Sequence, residues 1–377
     1  MENKKVAVLY PFFAHYRKPI VEKLDKDELI DYYFIAGEKV NVQFKALRLM
    51  DFKNYRKFIS LKNIWFCKYF LIQPGVIRKI RQGKFDAIIV LADAKYLSLW
   101  ALLLYCKLRN LPIFFWTHGF RTNKKSLNNN IKYTFFSLFD GGFVYDNRAR
   151  DIFKEKGYKK EIDVIYNSLD FDNQNQIYKL SLKEDNLFAR YGKYVVFSGR
   201  LTHTKRLEVL IDAIYILKKQ KKYVNVVLIG DGVHKNELVK YVRERGVENQ
   251  VYFYGSCYDE RIIANCFINS IACVIPSAVG LSAIHSLTYG TPVITDDNFA
   301  THGPEIESIK DGITGKFFEQ SNPNMLAAQI KYFMNLSDVE RAKYQQESLS
   351  VVKEKFNPSF QRDIFNRRLL SHINNLE

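Results

Sequence analysis

Two stretches of this sequence combine residue types that suit an anionic ligand. In Phe197-Ser198-Gly199-Arg200-Leu201-Thr202-His203-Thr204-Lys205-Arg206, an apolar run ends at a glycine, and cations follow just ahead of a helix-like segment. Glycine lets backbone approach a ligand closely, and free N–H groups at a helix start attract anions. Arg200 can grip two phosphate oxygens at once and Lys205 adds a point charge, so a diphosphate fits; a solvated basic loop fits the same residues equally. The second stretch, Ile275-Pro276-Ser277-Ala278-Val279-Gly280-Leu281-Ser282-Ala283-Ile284-His285-Ser286-Leu287, reads as a strand-to-helix junction flanked by small-residue turns. Ser277 and the N–H groups of Val279, Gly280, Leu281 and Ser282 suit a phosphate cradle. His285 falls inside the following helix, where a lone histidine is more often a packing residue.

The elements that must position these residues alternate. Apolar runs at Val6–Tyr10, Asp31–Ala36, Ala87–Leu91, Ile113–Trp116, Gly142–Tyr145 and Asp163–Tyr166 read as strands. After a polar stretch the pattern restarts with strands at Tyr194–Ser198, Val224–Ile229, Val251–Tyr254, Ala272–Ile275 and Pro292–Thr295, separated by amphipathic helices. This alternation predicts α/β architecture, with parallel sheets covered on both faces. The expected division is an N-terminal Rossmann-like domain over residues 1–170, a linker over 171–192, a second Rossmann-like domain over 193–355, and a terminal helix over 356–377 packing back on the first. The two domains are expected to face each other across a cleft, with ligands near the carboxyl ends of the strands. Three further residues fall at such ends. His15 and Arg17 follow the first strand, and Asp93 follows Ala87–Leu91. Asp93 suits a cleft or a cap for the helix near Lys95 equally.

Composition narrows the partners. The 377 residues carry 57 Lys+Arg and 40 Asp+Glu, a balance of +17, with 47% hydrophobic residues, so the chain has room for two cores and is neither low-complexity nor disordered. The excess charge points to phosphate groups, nucleic acid or an acidic membrane surface. Between Lys53 and Lys84 stand nine basic residues (Lys53, Arg56, Lys57, Lys62, Lys68, Arg78, Lys79, Arg81 and Lys84) and no acidic ones, interleaved with Trp65, Phe66, Tyr69 and Phe70. This pattern suits an interfacial segment on an anionic leaflet, single-stranded nucleic acid, or a basic, partly buried helical hairpin. The apolar run at the start is too short for a signal-peptide core, and Tyr96–Cys106 is too short to span a membrane. Five cysteines with no CxxC pair read as buried thiols in a reducing compartment and disfavour a zinc site.

With these residues in view, the chain resembles the GT-B glycosyltransferases of the large retaining group, often called family 4, that contains sucrose synthase and glycogen synthase. The matching pieces are Gly199-Arg200-Leu201 with Lys205, Gly230-Asp231-Gly232, Val251 to Gly255, Pro276-Ser277, Gly290-Thr291-Pro292-Val293-Ile294, Pro304-Glu305-Ile306 and Asp311-Gly312-Ile313-Thr314-Gly315. Thr117-His118-Gly119 and Val164-Ile165-Tyr166-Asn167-Ser168-Leu169-Asp170 match more loosely, so the resemblance covers nearly the whole chain. Two glutamates usual in the family, eight positions apart, are replaced by Ser277 and His285. Bacterial members with a similar Val-Gly-Leu-(Ser/Thr)-Ala-Ile-His-Ser-Leu segment make this a subgroup variant. In the family the first glutamate contacts the donor sugar and the second holds the ribose. The resemblance therefore gives His285 a ribose contact, and leaves the sugar contact to backbone at 279–282 or to a side chain from Asp296 to His302.

The resemblance implies a retaining, metal-independent glycosyltransferase that needs no protein nucleophile and uses a nucleotide-diphosphate sugar, UDP- or GDP-linked, with no further cofactor. Arg200, Lys205 and His118 would serve catalysis. Gly199, Gly230, Ser277, Val279, Gly280, Leu281, Ser282 and His285 would hold the donor; His15, Arg17 and Asp93 would meet the acceptor. The acceptor would be a glycan or a polyprenyl-diphosphate-linked sugar in bacterial capsule, O-antigen, lipopolysaccharide or exopolysaccharide synthesis, and the transferred group a hexose. That reading turns segment 53–84 toward a membrane and away from nucleic acid, and places the protein in the cytoplasm, peripheral on the inner face of the cell membrane. A GT-B sugar-nucleotide epimerase and a non-catalytic sugar-nucleotide-binding protein are the alternatives.

Overall fold

A computed structural model describes residues 3–37, 40, 48–120 and 127–374. The chain divides into unit 1, Met1–Tyr166 with Pro358–Glu377, and unit 2, Asn167–Asn357.

Unit 1 is built on strands β1 (Lys4–Tyr10), β2 (Ile30–Gly37), β3 (Phe58–Leu61), β6 (Ala87–Leu91), β7 (Ile113–Thr117), β8 (Gly141–Val144) and β9 (Ile162–Val164), with a separate hairpin of β4 (Ile64–Phe66) and β5 (Phe70–Ile72). The seven sheet strands run in the order β3-β2-β1-β6-β7-β8-β9, and every pairing is parallel. Their sequences are apolar at successive positions because both faces are covered. Val8, Ile89 and Trp116 face one core, and Leu9, Val90 and Phe115 the other. The helix Pro358–Asn374 closes the first of these cores. Its Phe365 is fully buried, with its ring 4.6 Å from Phe143 and 5.0 Å from Trp116. At its polar edge Tyr32 donates to Asn366 Oδ1 at 2.7 Å and Arg368 Nε to Asp163 at 2.6 Å.

The basic-aromatic segment is not a helical hairpin. Within it only Val76–Gly83 is helical. The aromatic part is the antiparallel β4–β5 pair, with Trp65 opposite Leu71 and Phe66 opposite Phe70. Cys67 (φ +46°) and Lys68 (φ +65°) turn the chain in the left-handed region, the backbone that joins short hairpins. Cys67 is therefore exposed and Cys257 half-buried, against the expectation of buried thiols that Cys106, Cys266 and Cys273 meet. Among the described residues, no helix is long and apolar enough to cross a membrane.

Unit 2 contains β10 (Tyr194–Ser198), β11 (Asn225–Ile229), β12 (Val251–Gly255), β13 (Cys273–Ile275), β14 (Val293–Asp296) and β15 (Gly315–Phe318). They form a six-stranded sheet in the order β12-β11-β10-β13-β14-β15, again parallel throughout. The stretch read as a linker is largely the helix Phe171–Ser181, started by the Asp170 side chain accepting from the Asn173 N–H. Gln174 on this helix is buried and donates to Glu260 at 3.0 Å, which ties the segment into unit 2.

Truncating Phe365 removes a buried ring from an aromatic cluster, so Phe365→Ala should cost about 3–5 kcal/mol. All three tryptophans, Trp65, Trp100 and Trp116, lie in unit 1, so urea unfolding followed by tryptophan fluorescence reads that unit. Leu108→Ala, at an exposed position, should stay within about 0.5 kcal/mol of the parent.

Candidate functional site

In unit 2 the loops after β10 and β11 meet backbone to backbone. A Cβ on Gly230 (φ +143°) would lie 1.9 Å from the Gly199 carbonyl oxygen, so only glycine fits. Gly199 N–H donates to Ile229 O and Leu201 N–H to Asp231 O, both at 2.9 Å, and His234 N–H returns to Leu201 O at 3.1 Å. Arg200 projects from this seam and is exposed. It lines a cavity of about 230 Å³ with Gly199, Gly230, Asp231 and the β12 loop residues Ser256, Cys257 and Tyr258. Tyr258 is 93% exposed beside that cavity, a flat ring open to stacking. The β12 loop had no cation to announce it; the signals were Gly255 at the strand end (φ +88°) and an aromatic, Tyr258, just beyond it.

Lys205 reaches from the first loop to the second and donates its Nζ to Ala278 O. Burial pushes its ammonium below the usual value; Glu305 opposes that and Arg200 adds to it. Ala278 itself sits at φ +51°. Val279 does not offer its N–H to a ligand: that group donates to His302 Nδ1 at 3.1 Å, and Gly303 N–H returns to Val279 O at 2.9 Å. With Nδ1 accepting, the His302 proton lies on Nε2, 3.0 Å from Asp296 Oδ1. Both side chains are 0% exposed, so neither His302 nor Asp296 meets a sugar; they brace the loop. Burial works against the Asp296 carboxylate, and the His302 hydrogen bond with the Asn298 N–H outweighs it, so its pKa is lowered. Ser277 is buried in this brace. Gly280, Leu281 and Ser282 open the helix Leu281–Thr288, whose first N–H groups have no partner within the helix.

His285 is not directed at open space with a bare ring. Its Nε2 lies 2.6 Å from Glu260 Oε1, which also accepts from Tyr289 at 2.5 Å and Gln174 at 3.0 Å. Burial would raise the Glu260 pKa, but the His285 hydrogen bond and charge, then Tyr289 and Gln174, hold it at about 2. Glu260 begins the helix Glu260–Ile268, capped by Asp259, a few residues past the cavity loop. Sequence reading missed it because it belongs to a different helix from His285.

In unit 1, His15, Arg17, Asp93 and His118 follow β1, β6 and β7, three neighbouring strands, at their carboxyl ends. Arg17 is not an exposed anion ligand. It is 7% exposed, donates to the Tyr145 hydroxyl, and lies 5.3 Å from the Trp116 ring and 5.0 Å from the Tyr145 ring. The aromatic faces hold the guanidinium as cation–π partners. His118 is exposed and stacks 4.4 Å from the same Tyr145 ring. Asp93 does not cap the following helix, which begins at Leu97 after Tyr96 with no side-chain cap bond; its Oδ1 instead accepts from the Lys95 N–H at 3.0 Å in the turn before it. His15 is exposed and lines a separate depression of about 500 Å³ with Lys18, Glu22, Lys26 and Arg48.

Residues 179–348 match the family described as glycosyl transferases group 1. An uncharacterized 41.2 kDa protein in the cps region of Klebsiella pneumoniae is 29% identical over 169 residues, 44% of each chain. The N-acetylgalactosamine-N,N'-diacetylbacillosaminyl-diphospho-undecaprenol 4-alpha-N-acetylgalactosaminyltransferase of Campylobacter jejuni is 26% identical over 188 residues, 48% of this chain and 47% of that one. The chain spans about a third to a half of the length of the curated relatives it matches. Among solved structures, an Anabaena protein, HepE, in complex with UDP superposes with a TM-score of 0.71 at 16% identity, covering 98% of this chain and 100% of that one. The lipopolysaccharide outer core galactosyltransferase WaaB gives 0.70 at 16%, covering 98% and 99%. These likenesses make the fold GT-B.

The Glu260 network has a pH signature. Its pKa falls from 4.5 to about 2 on folding, a stabilisation of about 3 kcal/mol. A depressed carboxylate stabilises fully above the unfolded value and loses that contribution as pH falls from about 5 to 2. Glu260→Gln should therefore be less stable than the parent at pH 7, with the gap narrowing as pH drops to 3. Denaturant titrations across that range check it, and a gap independent of pH would refute the ionised network.

Proposed function

We propose that this protein is a retaining glycosyltransferase that transfers a sugar from a nucleotide-diphosphate sugar, UDP-linked in the first instance, to a glycan or lipid-diphosphate-linked acceptor. The observation that carries this reading is the meeting of Arg200 and Lys205 with two close-packed glycine loops, inside the segment that matches a glycosyltransferase family. Solved relatives of the same fold bind UDP or UDP-glucose, which supports a UDP donor.

In this reading the donor diphosphate lies against Arg200, Lys205 and the N–H groups of Gly280, Leu281 and Ser282. The base stacks beside Tyr258 in the cavity of Gly199 and Gly230. The ribose meets His285, whose ring Glu260 orients. The acceptor hydroxyl attacks the anomeric carbon from the face that the diphosphate leaves. The bond from that carbon to the diphosphate oxygen breaks, the new glycosidic bond forms, and a leaving phosphate oxygen takes the acceptor proton. Negative charge grows on the diphosphate as this happens, so the two cations stabilise the transition state more than the bound donor. They do the work for which other transferases recruit a metal ion. His118 and His15, both exposed at the carboxyl edge of the unit 1 sheet, are assigned to the transferred sugar and the acceptor.

The acceptor's class follows from the unit 1 surface. Phe66, Tyr69 and Phe70 of the hairpin are exposed, as are Leu97, Leu104 and Leu108 of the adjoining helix. Lys68 and Lys95 stand among them, Lys95 lying 5.0 Å over the Tyr69 ring. Apolar side chains framed by cations suit the headgroup region of an anionic leaflet. We assign the protein to the inner face of the cell membrane, working on lipid-linked polysaccharide precursors. The relatives from a Klebsiella cps region and from Campylobacter undecaprenol glycosylation support that choice.

Two measurements test the reading. Among UDP-, GDP-, CMP- and dTDP-sugars, a UDP-sugar should raise the melting temperature most and should be consumed with a lipid-linked acceptor. Arg200→Ala and Lys205→Ala should each lower turnover by about 10²–10³, and full activity in both would remove the diphosphate role. Separately, Phe66→Ser with Phe70→Ser should weaken sedimentation with vesicles containing anionic lipid, and raising salt should weaken it further; equal binding by parent and variant would remove the membrane role from the hairpin.

A further inference from the structure

Beside the loops already described, unit 2 gathers two imidazoles and two carboxylates. His203 begins the short turn His203–Lys205 and Glu208 lies in the first turn of the helix Leu207–Lys219. His234 caps the helix Lys235–Glu244 and Glu237 lies in its first turn. His234 is 2% exposed, with its Nε2 2.8 Å from Glu208 Oε1 and 3.5 Å from Glu237 Oε2. His203 Nδ1 is 3.9 Å from the same Glu237 oxygen, and the two imidazole rings lie 3.8 Å apart. Among the described residues, His203, Glu208 and His234 are the one group of three whose ligand atoms all fall within 4.8 Å of one another.

These separations have a chemical meaning. Zinc bonds of about 2.0–2.1 Å to nitrogen and oxygen put tetrahedral donors about 3.3 Å apart. The His234 Nε2 to Glu208 Oε1 separation of 2.8 Å is near that edge, and the remaining donor separations within the group of His203, Glu208 and His234 stay within 4.8 Å. One carboxylate with two imidazoles makes three donors, a set that leaves the fourth tetrahedral position to water. The buried His234 Nδ1 has no hydrogen-bond partner. Mixed imidazole and carboxylate donors favour zinc-like ions over magnesium or calcium.

We propose that His203, Glu208 and His234 bind one divalent transition-metal ion of the zinc class. The ion clamps the turn after Arg200 to the starts of two helices, and so fixes the basic loop against the glycine loop of Gly230 and Gly232. The proposal runs against the sequence expectation, in which the absence of paired cysteines disfavours a zinc site. The role is positional; no step of the transfer chemistry passes through the ion.

The test uses the full-length protein stripped with EDTA and dialysed. Calorimetric titration with Zn²⁺ should give one equivalent per chain and raise the melting temperature, and Mg²⁺ should do neither. Co²⁺ should give the intense visible bands of a tetrahedral site. His203→Ala and Glu208→Gln should each weaken Zn²⁺ binding about tenfold or more. His203 is 61% exposed, so its variant keeps the fold even where His234→Ala does not. Absence of stoichiometric binding by the parent overturns the proposal. So does parent-like binding by both variants, or binding that is lost instead in Cys67→Ser or Cys257→Ser. Donor binding plays no part in this readout, so its outcome is independent of the transferase reading.

Discussion

The organisation of unit 2 depends on one steric contact, the approach of Gly230 to the carbonyl of Gly199. At 1.9 Å from that oxygen no Cβ can exist, so the loops after β10 and β11 close on each other without side chains between them. Their N–H and C=O groups then pair directly, as the bonds from Gly199 to Ile229 and from Leu201 to Asp231 do. The seam satisfies backbone that would otherwise need water, and it leaves Arg200 as the first side chain able to point outward. A basic residue at this place is thus presented by a rigid backbone joint, which is what a charge needs if it is to act without reorganising.

The second loop is held by a different device. Parallel strands can deliver Ser277 to Ser282 to the same sheet edge, but a loop with Ala278 at positive φ needs support. Buried hydrogen bonds supply it: Val279 N–H to His302, and His302 to Asp296. A fully buried carboxylate is tolerable only when paired and hydrogen-bonded, and here the imidazole and the Asn298 N–H meet that condition. Lys205 then joins the two loops through the Ala278 carbonyl. The same lysine is therefore both a strut and a basic group, and Glu305 opposes the lowering that burial imposes on its ammonium.

Much of the fold was legible because both sheets are buried on two faces. Runs such as Ala87–Leu91 and Tyr194–Ser198 stand out as unbroken apolar stretches, and their observed bounds are the same. Short or edge elements were not legible. Phe58–Leu61 and Gly315–Phe318 have four residues each and mixed burial, and the β4–β5 hairpin depends on left-handed Cys67 and Lys68, residue types that do not advertise such a turn. At the candidate site, spacing along the chain picked out Gly199, Arg200 and Lys205, which lie on adjoining loops, whereas Ser277 is buried. It misjudged Arg17, because nothing in the sequence places Trp116 and Tyr145 around it, and Asp93, whose partner is its own neighbouring backbone.

The two absent motif glutamates show why that boundary falls where it does. A motif written along one helix records only the residues that this helix contributes, whereas a ligand meets whatever side chains converge in space. His285 stands where a glutamate is usual in the family that the sequence resembles, yet Glu260 from the neighbouring helix lies 2.6 Å from its Nε2. Tyr289 and Gln174 donate to the same oxygen, so the carboxylate is ionised and fixed in direction. A carboxylate that accepts from an imidazole sets that ring's tautomer and orientation, and the outer face of the imidazole becomes the group that a ribose hydroxyl would meet. On the proposed reading, a motif carboxylate replaced by histidine is compensated when a second helix brings a carboxylate behind it, as Glu260 stands behind His285.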